Sequence, residues 1–338
     1  MIPAELHQLF RVLCDSAQRV VLTTHINPDG DAIGSELSLA RFLETRGAKV
    51  RILNQDPVPE LLQFVLDSKP PPELYQRGEG DAALAQADLV ILVDNSAPDR
   101  LGRMEAPMAG VADRVLCIDH HPTRDAPWAH NIVDVEAAAT TAMIYELTRA
   151  WGWTPDAIAA NAIYTGLATD TGFFRFNSTN ARSHEIAAEL LELGVAPARV
   201  YRAVYERNSV AYTRLLGHSL AGLRLDAGGA VASVRITRQL TDTLQAGDVD
   251  TSEITTALLA IDRVMVAVLF RELSDGRIKV SLRSKGDLDV HRMATEFGGG
   301  GHRNASGIVI EGRLNQVVQT VTERAASLLA ASSPDPSV

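Results

Sequence analysis

The sequence predicts an α/β protein of two domains, an N-terminal, mostly parallel and doubly wound sheet followed by a smaller C-terminal α+β domain. Three observations carry this expectation. From residue 20 onward, short apolar runs alternate with amphipathic stretches, the pattern of βα units. Later in the chain the pattern changes to strand-like GLRLD, AVASVRIT, VMVAVLF and RIKVSLR, with hairpin signals at Ala227-Gly228-Gly229 and Asp275-Gly276. The length of 338 residues exceeds a usual single domain and lets each part bury its own core.

Taken in order, apolar strands are expected at residues 20–25, 48–54, 88–94 and 114–119, with helices at 32–46, 140–151, 156–169 and 183–193. The strands end in polar residues. In an open α/β sheet, ligands bind beyond the carboxyl ends of the strands, so chemistry is expected there. The polar stretch 206–217 reads as a linker between a first domain, 1–205, and a second, 218–331. A helix at 289–297 precedes a run of four glycines, and the short Pro-containing tail 332–338 reads as disordered.

Composition narrows the function classes. Hydrophobic residues make up 46% and charged residues 22%, an ordinary globular balance that argues against long disorder. The net charge of −10 disfavours gripping long nucleic acid along a broad basic face, because that binding needs many phosphate contacts. A small phosphorylated substrate in a local basic pocket stays compatible with it. Cys14 and Cys117 are far apart and form neither a disulfide framework nor a thiolate metal site, so a reducing cytoplasm is the expected location. The sequence shows neither a targeting segment nor a run of about 20 apolar residues, so no membrane span is expected.

Five constellations bear chemistry. In His25-Ile-Asn-Pro-Asp29-Gly-Asp31, a strand ends at an imidazole and a Pro/Gly turn delivers two carboxylates before a helix. Asp31 there also suits the helix N-cap, the commoner use of such a residue. Asp94 closes LVILVD, and Asp119-His120-His121 close RVLCIDHH. A lone strand-end aspartate is more often a turn former, but several oxygen and imidazole groups at adjacent strand ends repel or stay unpaired unless cations lie between them. Asp170, at the end of the 156–169 helix, is opposed by the helix macrodipole and wants a compensating cation. Finally Gly298-Gly299-Gly300-Gly301-His302-Arg303 permits close backbone approach and could turn N–H groups toward an anion, with Arg283 and Lys285 nearby in sequence.

The ordered set HINPDGDAIGS, VDNS, IDHH, ATDTGFF and GGGGHRNASG resembles the DHH phosphoesterase family over nearly the whole chain. Length and the glycine-rich C-terminal segment are most similar to the branch of nanoRNases and 3′,5′-bisphosphorylated adenosine (pAp) phosphatases. Family II pyrophosphatases lack that segment, and RecJ-type exonucleases carry further modules. The resemblance implies a metal-binding phosphoesterase domain at 1–205 and a substrate-binding domain at 218–331. It implies one ion held by His25, Asp29 and Asp94 and another by Asp31, Asp94, His120 and Asp170, with Asp94 bridging. It makes Asp119 a support and directs His121 to the scissile phosphate. Arg283, Lys285, His302 and the amides of Gly299, Gly300 and Gly301 would hold another phosphate. Imidazole and carboxylate ligands suit manganese, with magnesium or cobalt as substitutes. The implied reaction is hydrolysis by a water that two divalent ions activate, on short single-stranded RNA or pAp. Cyclic or linear dinucleotides are the alternative substrates, long duplexes and membranes are not expected partners, and a homodimer stays open.

Overall fold

The computed structural model describes residues 2–67, 69–122, 126–247, 249 and 251–332. The chain divides into two compact units, residues 1–207 and 208–338.

The first unit contains α1 (Ala4–Ser16), β1 (Arg19–Thr23), α2 (Gly30–Thr45), β2 (Lys49–Asn54), β3 (Glu73–Leu74), α3 (Glu79–Gln86), β4 (Leu89–Val93), α4 (Glu105–Ala109), β5 (Val115–Asp119) and β6 (His130–Val133). Then come α5 (Thr140–Ala150), α6 (Ala157–Asp170), α7 (Ala181–Glu192) and α8 (Pro197–Tyr205). All its strand pairs are parallel, in the order β3-β2-β1-β4-β5-β6. The central strands LVILV and VLCID are buried along their whole length, as parallel strands covered on both faces must be. One face packs Phe10 and Cys14 of α1, Phe42 and Leu43 of α2 and Met143 and Leu147 of α5 onto Leu22, Ile91 and Ile118. The other packs Leu84 of α3 and Met104 and Met108 onto Val90, Leu92 and Cys117. This is the doubly wound sheet expected from the sequence. The order reverses between β1 and β4, the switch point at which such sheets hold their ligands.

The second unit opens with α9 (Val210–Ala221) and continues with β7 (Arg224–Asp226), β8 (Val231–Ile236), α10 (Arg238–Leu244), α11 (Ser252–Leu259), β9 (Val266–Glu272), β10 (Ile278–Ser284), α12 (Val290–Glu296), β11 (Gly300–His302), β12 (Ala305–Ile310) and α13 (Leu314–Ser332). Its sheet runs β11-β12-β10-β9-β8-β7 and is antiparallel except where β8 and β9 pair in parallel. Helices α12 and α13 cover one face, while α9 and the residues around α10 and α11 cover the other. Both hairpin signals are honoured, at β7–β8 and β9–β10.

The stretch expected to be a linker, 206–217, departs from that expectation. Most of it is α9, capped by Ser209 Oγ accepting from the Tyr212 amide, with Leu215 buried in the second unit's core. Tyr212, Leu215 and Ser219 are buried at helical spacing and supply enough burial for a helix in a polar stretch. Of the tail expected to be disordered, Ser332 closes α13 and 333–338 lie outside the described residues.

Candidate metal centre

The cluster begins where β1, β4 and β5 end. His25 follows β1 by two residues, Asp94 follows β4 by one, and Asp119 is the last residue of β5. Asp94 takes a left-handed backbone, φ 57°, which a non-glycine residue adopts only where its surroundings hold it. Helices α2 and α6 add Asp31 and Asp170. They approach closely because α2 carries Gly34, where a Cβ would come within 2.4 Å of the Ala162 carbonyl oxygen.

His25, Asp29 and Asp94 each offer a ligand atom within 4.8 Å of the others, and so do Asp31, His120 and Asp170. His25 Nε2 lies 3.4 Å from Asp94 Oδ2, and His120 Nε2 lies 3.6 Å from Asp94 Oδ1 and 3.4 Å from Asp170 Oδ2. Asp94 thus faces both groups. A third grouping, Asp94, His120 and His121, also lies within 4.8 Å, but His121 Nδ1 is engaged, donating to Asp119 Oδ1 at 2.8 Å. Asp119 also accepts from the His121 amide and so fixes the ring from two sides.

The donor set fits cations. His25 Nδ1 lies 2.7 Å from the Ile26 carbonyl and His120 Nδ1 lies 3.3 Å from the Ala137 carbonyl. A carbonyl only accepts, so each Nδ1 carries the proton and each Nε2 presents a lone pair to carboxylate oxygens. Both Nε2 atoms are buried without a hydrogen-bond partner. Two lone pairs facing each other at such distances are repulsive unless a cation lies between them. Burial, the charges of Asp31 and Asp29 and the charge of Asp170 push Asp94 well above the usual carboxylate range. Burial and the charges of Asp31 and Asp29 push Asp170 up to about 8, and burial raises Asp31. Divalent ions would reverse these shifts by making the ionised carboxylates the favoured form.

The helix cap differs from the sequence expectation. Asp29, not Asp31, caps α2, with one oxygen accepting from the Asp31 and Ala32 amides at 3.0 and 3.1 Å. The extended backbone at Asp29 puts it at the cap, whereas Asp31 already lies in the first turn. Asp31 instead caps α5. Its Oδ2 accepts from the Thr140 amide at 2.6 Å, and its Oδ1 accepts from the Thr141 amide at 2.9 Å and the Thr141 hydroxyl at 2.6 Å. The Thr140 hydroxyl donates to Asp94 Oδ1 at 3.0 Å. The sequence reading missed these two threonines. Their signal was a helix start after Ala138-Ala139 that lacks a capping side chain of its own.

In the second unit, Arg283 and His302 both oppose Ala305 in register and therefore lie on one face of the sheet. The glycines serve strand pairing: a Cβ at Gly299 would meet the Gly307 carbonyl at 2.2 Å and one at Gly301 the Ala305 carbonyl at 2.5 Å. Gly300 is open, and β11 lies at the sheet edge. Lys285 Nζ lies 3.4 Å from the Ile261 carbonyl, to which it donates, so part of its capacity is already used. Asn304, also missed, staples the loop after β10 through its Nδ2, which donates to Gly286 O at 2.9 Å and Ser284 Oγ at 3.0 Å.

A doubly wound sheet whose switch point gathers these carboxylates and imidazoles, with Asp-His-His at and just beyond the end of β5, defines a class, and the chain belongs to the DHH phosphoesterase family. Residues 19–167 match the DHH family N-terminal domain and residues 236–327 the DHHA1 domain. More particularly, the chain is 32% identical over 307 residues to the bifunctional oligoribonuclease and PAP phosphatase NrnA of Thermus thermophilus, covering 90% of this chain and 88% of that one. It is 31% identical over 296 residues to the protein of the same name from Bacillus subtilis, covering 86% and 89%. The crystal structure of an exopolyphosphatase-related protein from Bacteroides fragilis superposes with a TM-score of 0.87 at 31% identity, over 97% of each chain. No helix among the described residues is long and apolar enough to cross a membrane.

Proposed function

We propose that the protein is a metal-dependent phosphoesterase that hydrolyses short oligoribonucleotides and pAp. The observation that carries this reading is the pair of buried, unpartnered Nε2 atoms of His25 and His120, each turned toward Asp94. His25, Asp29 and Asp94 would hold one divalent ion, and Asp31, Asp94, His120 and Asp170 a second. Two such ions, manganese by donor type, supply Lewis acidity that lowers the pKa of the attacking water and offsets charge on the phosphoryl group.

The chain's own residues do the rest. Asp94 would stand between the two ions and offset their mutual repulsion. Thr140 and Thr141 fix which oxygens of Asp94 and Asp31 remain to be shared. Asp119 accepts from His121 Nδ1 and thereby raises its pKa, which favours the imidazolium, whose Nε2–H would donate to a phosphoryl oxygen. The second unit would contribute Arg283, His302 and the Gly299 to Gly301 backbone, with Lys285 in support, to bind a phosphate that is not cleaved. The names of the relatives support the choice of substrates. Purified, manganese-loaded protein assayed against pAp, di- to pentanucleotides, cyclic dinucleotides and pyrophosphate tests the reading. Fast release from pAp and the short RNAs is expected, and preference for cyclic dinucleotides or pyrophosphate would replace it.

A further inference from the structure

One cation beside the centre has no role in the scheme above. Between Asp94 and α4 the chain makes a short 3-10 segment, Pro98–Met104, and several residues on either side of Arg100 are pinned. Asn95 folds back on itself, its Oδ1 accepting from the Ala97 amide and its Nδ2 donating to the Ala97 carbonyl, each at 3.0 Å. Trp128 Nε1 donates to the Ser96 carbonyl at 2.9 Å. Leu101 and Met104 are fully buried anchors. Gly102, at φ 56°, reverses the chain against Ile26 and Gln55, and the Arg103 amide donates to Gln55 Oε1 at 3.1 Å. Arg100 itself accepts, through its carbonyl, a 2.8 Å hydrogen bond from the amide of Ile26, the residue that follows His25.

The side chain at the middle of this fixed segment is different from its neighbours. Arg100 is half-buried, yet among the described residues its guanidinium has no hydrogen bond and no ion pair. A guanidinium carries five donors, and one half-buried in a fixed loop without a protein partner is free to take an anion that is not part of the chain. Its backbone is tied to Ile26, the residue after His25, and it follows Asp94 closely in the chain, so the segment that carries it is fixed beside the centre.

We propose that Arg100 is a substrate-binding residue of this centre, its guanidinium taking a non-bridging oxygen of the scissile phosphate alongside His121. The assignment rests on the phosphoesterase reading and deepens it. It makes a distinction that Arg283 and His302 do not: a group that binds the scissile phosphate serves every phosphodiester, whereas an anchor for a second phosphate serves only substrates that carry one.

The test uses full-length, manganese-loaded protein with Arg100→Ala, Arg100→Lys and Arg100→Met. Bound manganese and thermal unfolding are measured first, then kcat and KM for pAp, a trinucleotide and bis-p-nitrophenyl phosphate, and, independently of turnover, the Kd for inorganic phosphate by calorimetry. The expected result is unchanged manganese and Tm, with kcat/KM for all three substrates lowered by about 10²- to 10³-fold in the Ala and Met variants. Lysine should recover part of the loss, and a few millimolar guanidinium should rescue Ala but not Lys. Phosphate should bind more weakly to Ala and Met than to the wild type. Wild-type rates and phosphate affinity in Arg100→Ala would overturn the proposal, as would a loss confined to pAp or one that tracks lost manganese. If the wild type cleaves none of the three substrates, the phosphoesterase reading fails, while the phosphate Kd still decides whether Arg100 binds the anion.

Discussion

Gly34 of α2 lies so close to Ala162 of α6 that a Cβ on it would sit 2.4 Å from the Ala162 carbonyl oxygen. This contact sets how near Asp31, one turn earlier on α2, comes to Asp170 at the end of α6. Gly34→Ala should therefore force the helices apart, lower stability by about 1–3 kcal/mol and weaken manganese binding in the same variant. Denaturant unfolding and metal titration check this. Unaltered affinity in a destabilised variant would show that the helix contact and the ligand spacing are independent.

Asp94 faces both ligand groups, so its loss should affect both ions. Asp94→Ala is expected to abolish turnover and to weaken metal binding by more than about 100-fold, since even partners one step removed from a metal are worth about 10- to 100-fold. Elemental analysis of the dialysed variant is the measurement. Two retained ions with normal turnover would reject the bridging role.

The adjacent histidines should separate cleanly. His120→Ala should lose an ion, because its Nε2 faces Asp94 and Asp170. His121→Ala should keep both and lose about 10²- to 10³-fold in kcat, the usual scale for a group that stabilises charge in the transition state. The reverse pattern in bound metal would mean the two roles are exchanged.

Replacing Arg283 and His302 together by alanine should raise KM for pAp and di- to pentanucleotides by about 10- to 100-fold, the loss of a charge-assisted hydrogen bond of about 1.5–3 kcal/mol. Bis-p-nitrophenyl phosphate should be little affected. Equal losses on both would assign the second unit to support of the metal centre. With no broad basic tract to hold more chain, 20-mers should be cleaved far less well than short oligomers.

A pH effect is expected away from the centre. Burial pushes Glu36 of α2 from the ordinary 4.5 up to about 8, against the opposing pull of its hydrogen bond from Asn54 Nδ2 at 2.8 Å. The folded state then holds a proton that the unfolded state releases between pH 4.5 and 8, so this group makes stability fall as pH rises through that window, by up to about 1.4 kcal/mol per pH unit. Glu36→Gln keeps a neutral side chain at every pH. Its Tm relative to the wild type, measured in chelator, should rise steadily from pH 5 to pH 8.5. A constant difference would show that Glu36 is not protonated in the folded protein.

Much of the chemistry was legible locally. His25, Asp94 and Asp119 stand at or just beyond the ends of unbroken apolar runs, and a parallel sheet with its reversal between β1 and β4 brings such ends together whatever the details. Residue type and strand period are both local properties, so the sequence by itself determined the fold class, the strand ends at which chemistry is expected and the residue types placed there. The tertiary structure decided what depends on partners distant in the chain. Asp31 grips Thr140, 109 residues away, and leaves the cap of its own helix to Asp29. The polar stretch 210–221 became a helix because a narrow buried stripe found a core to join. Two of the four glycines proved necessary for strand pairing, and Arg100 acquired its position from Ile26 and Trp128, neither of which is near it in sequence. Hydrogen bonds and close backbone contacts of this kind are selected by three-dimensional proximity, which no local pattern of residue types encodes.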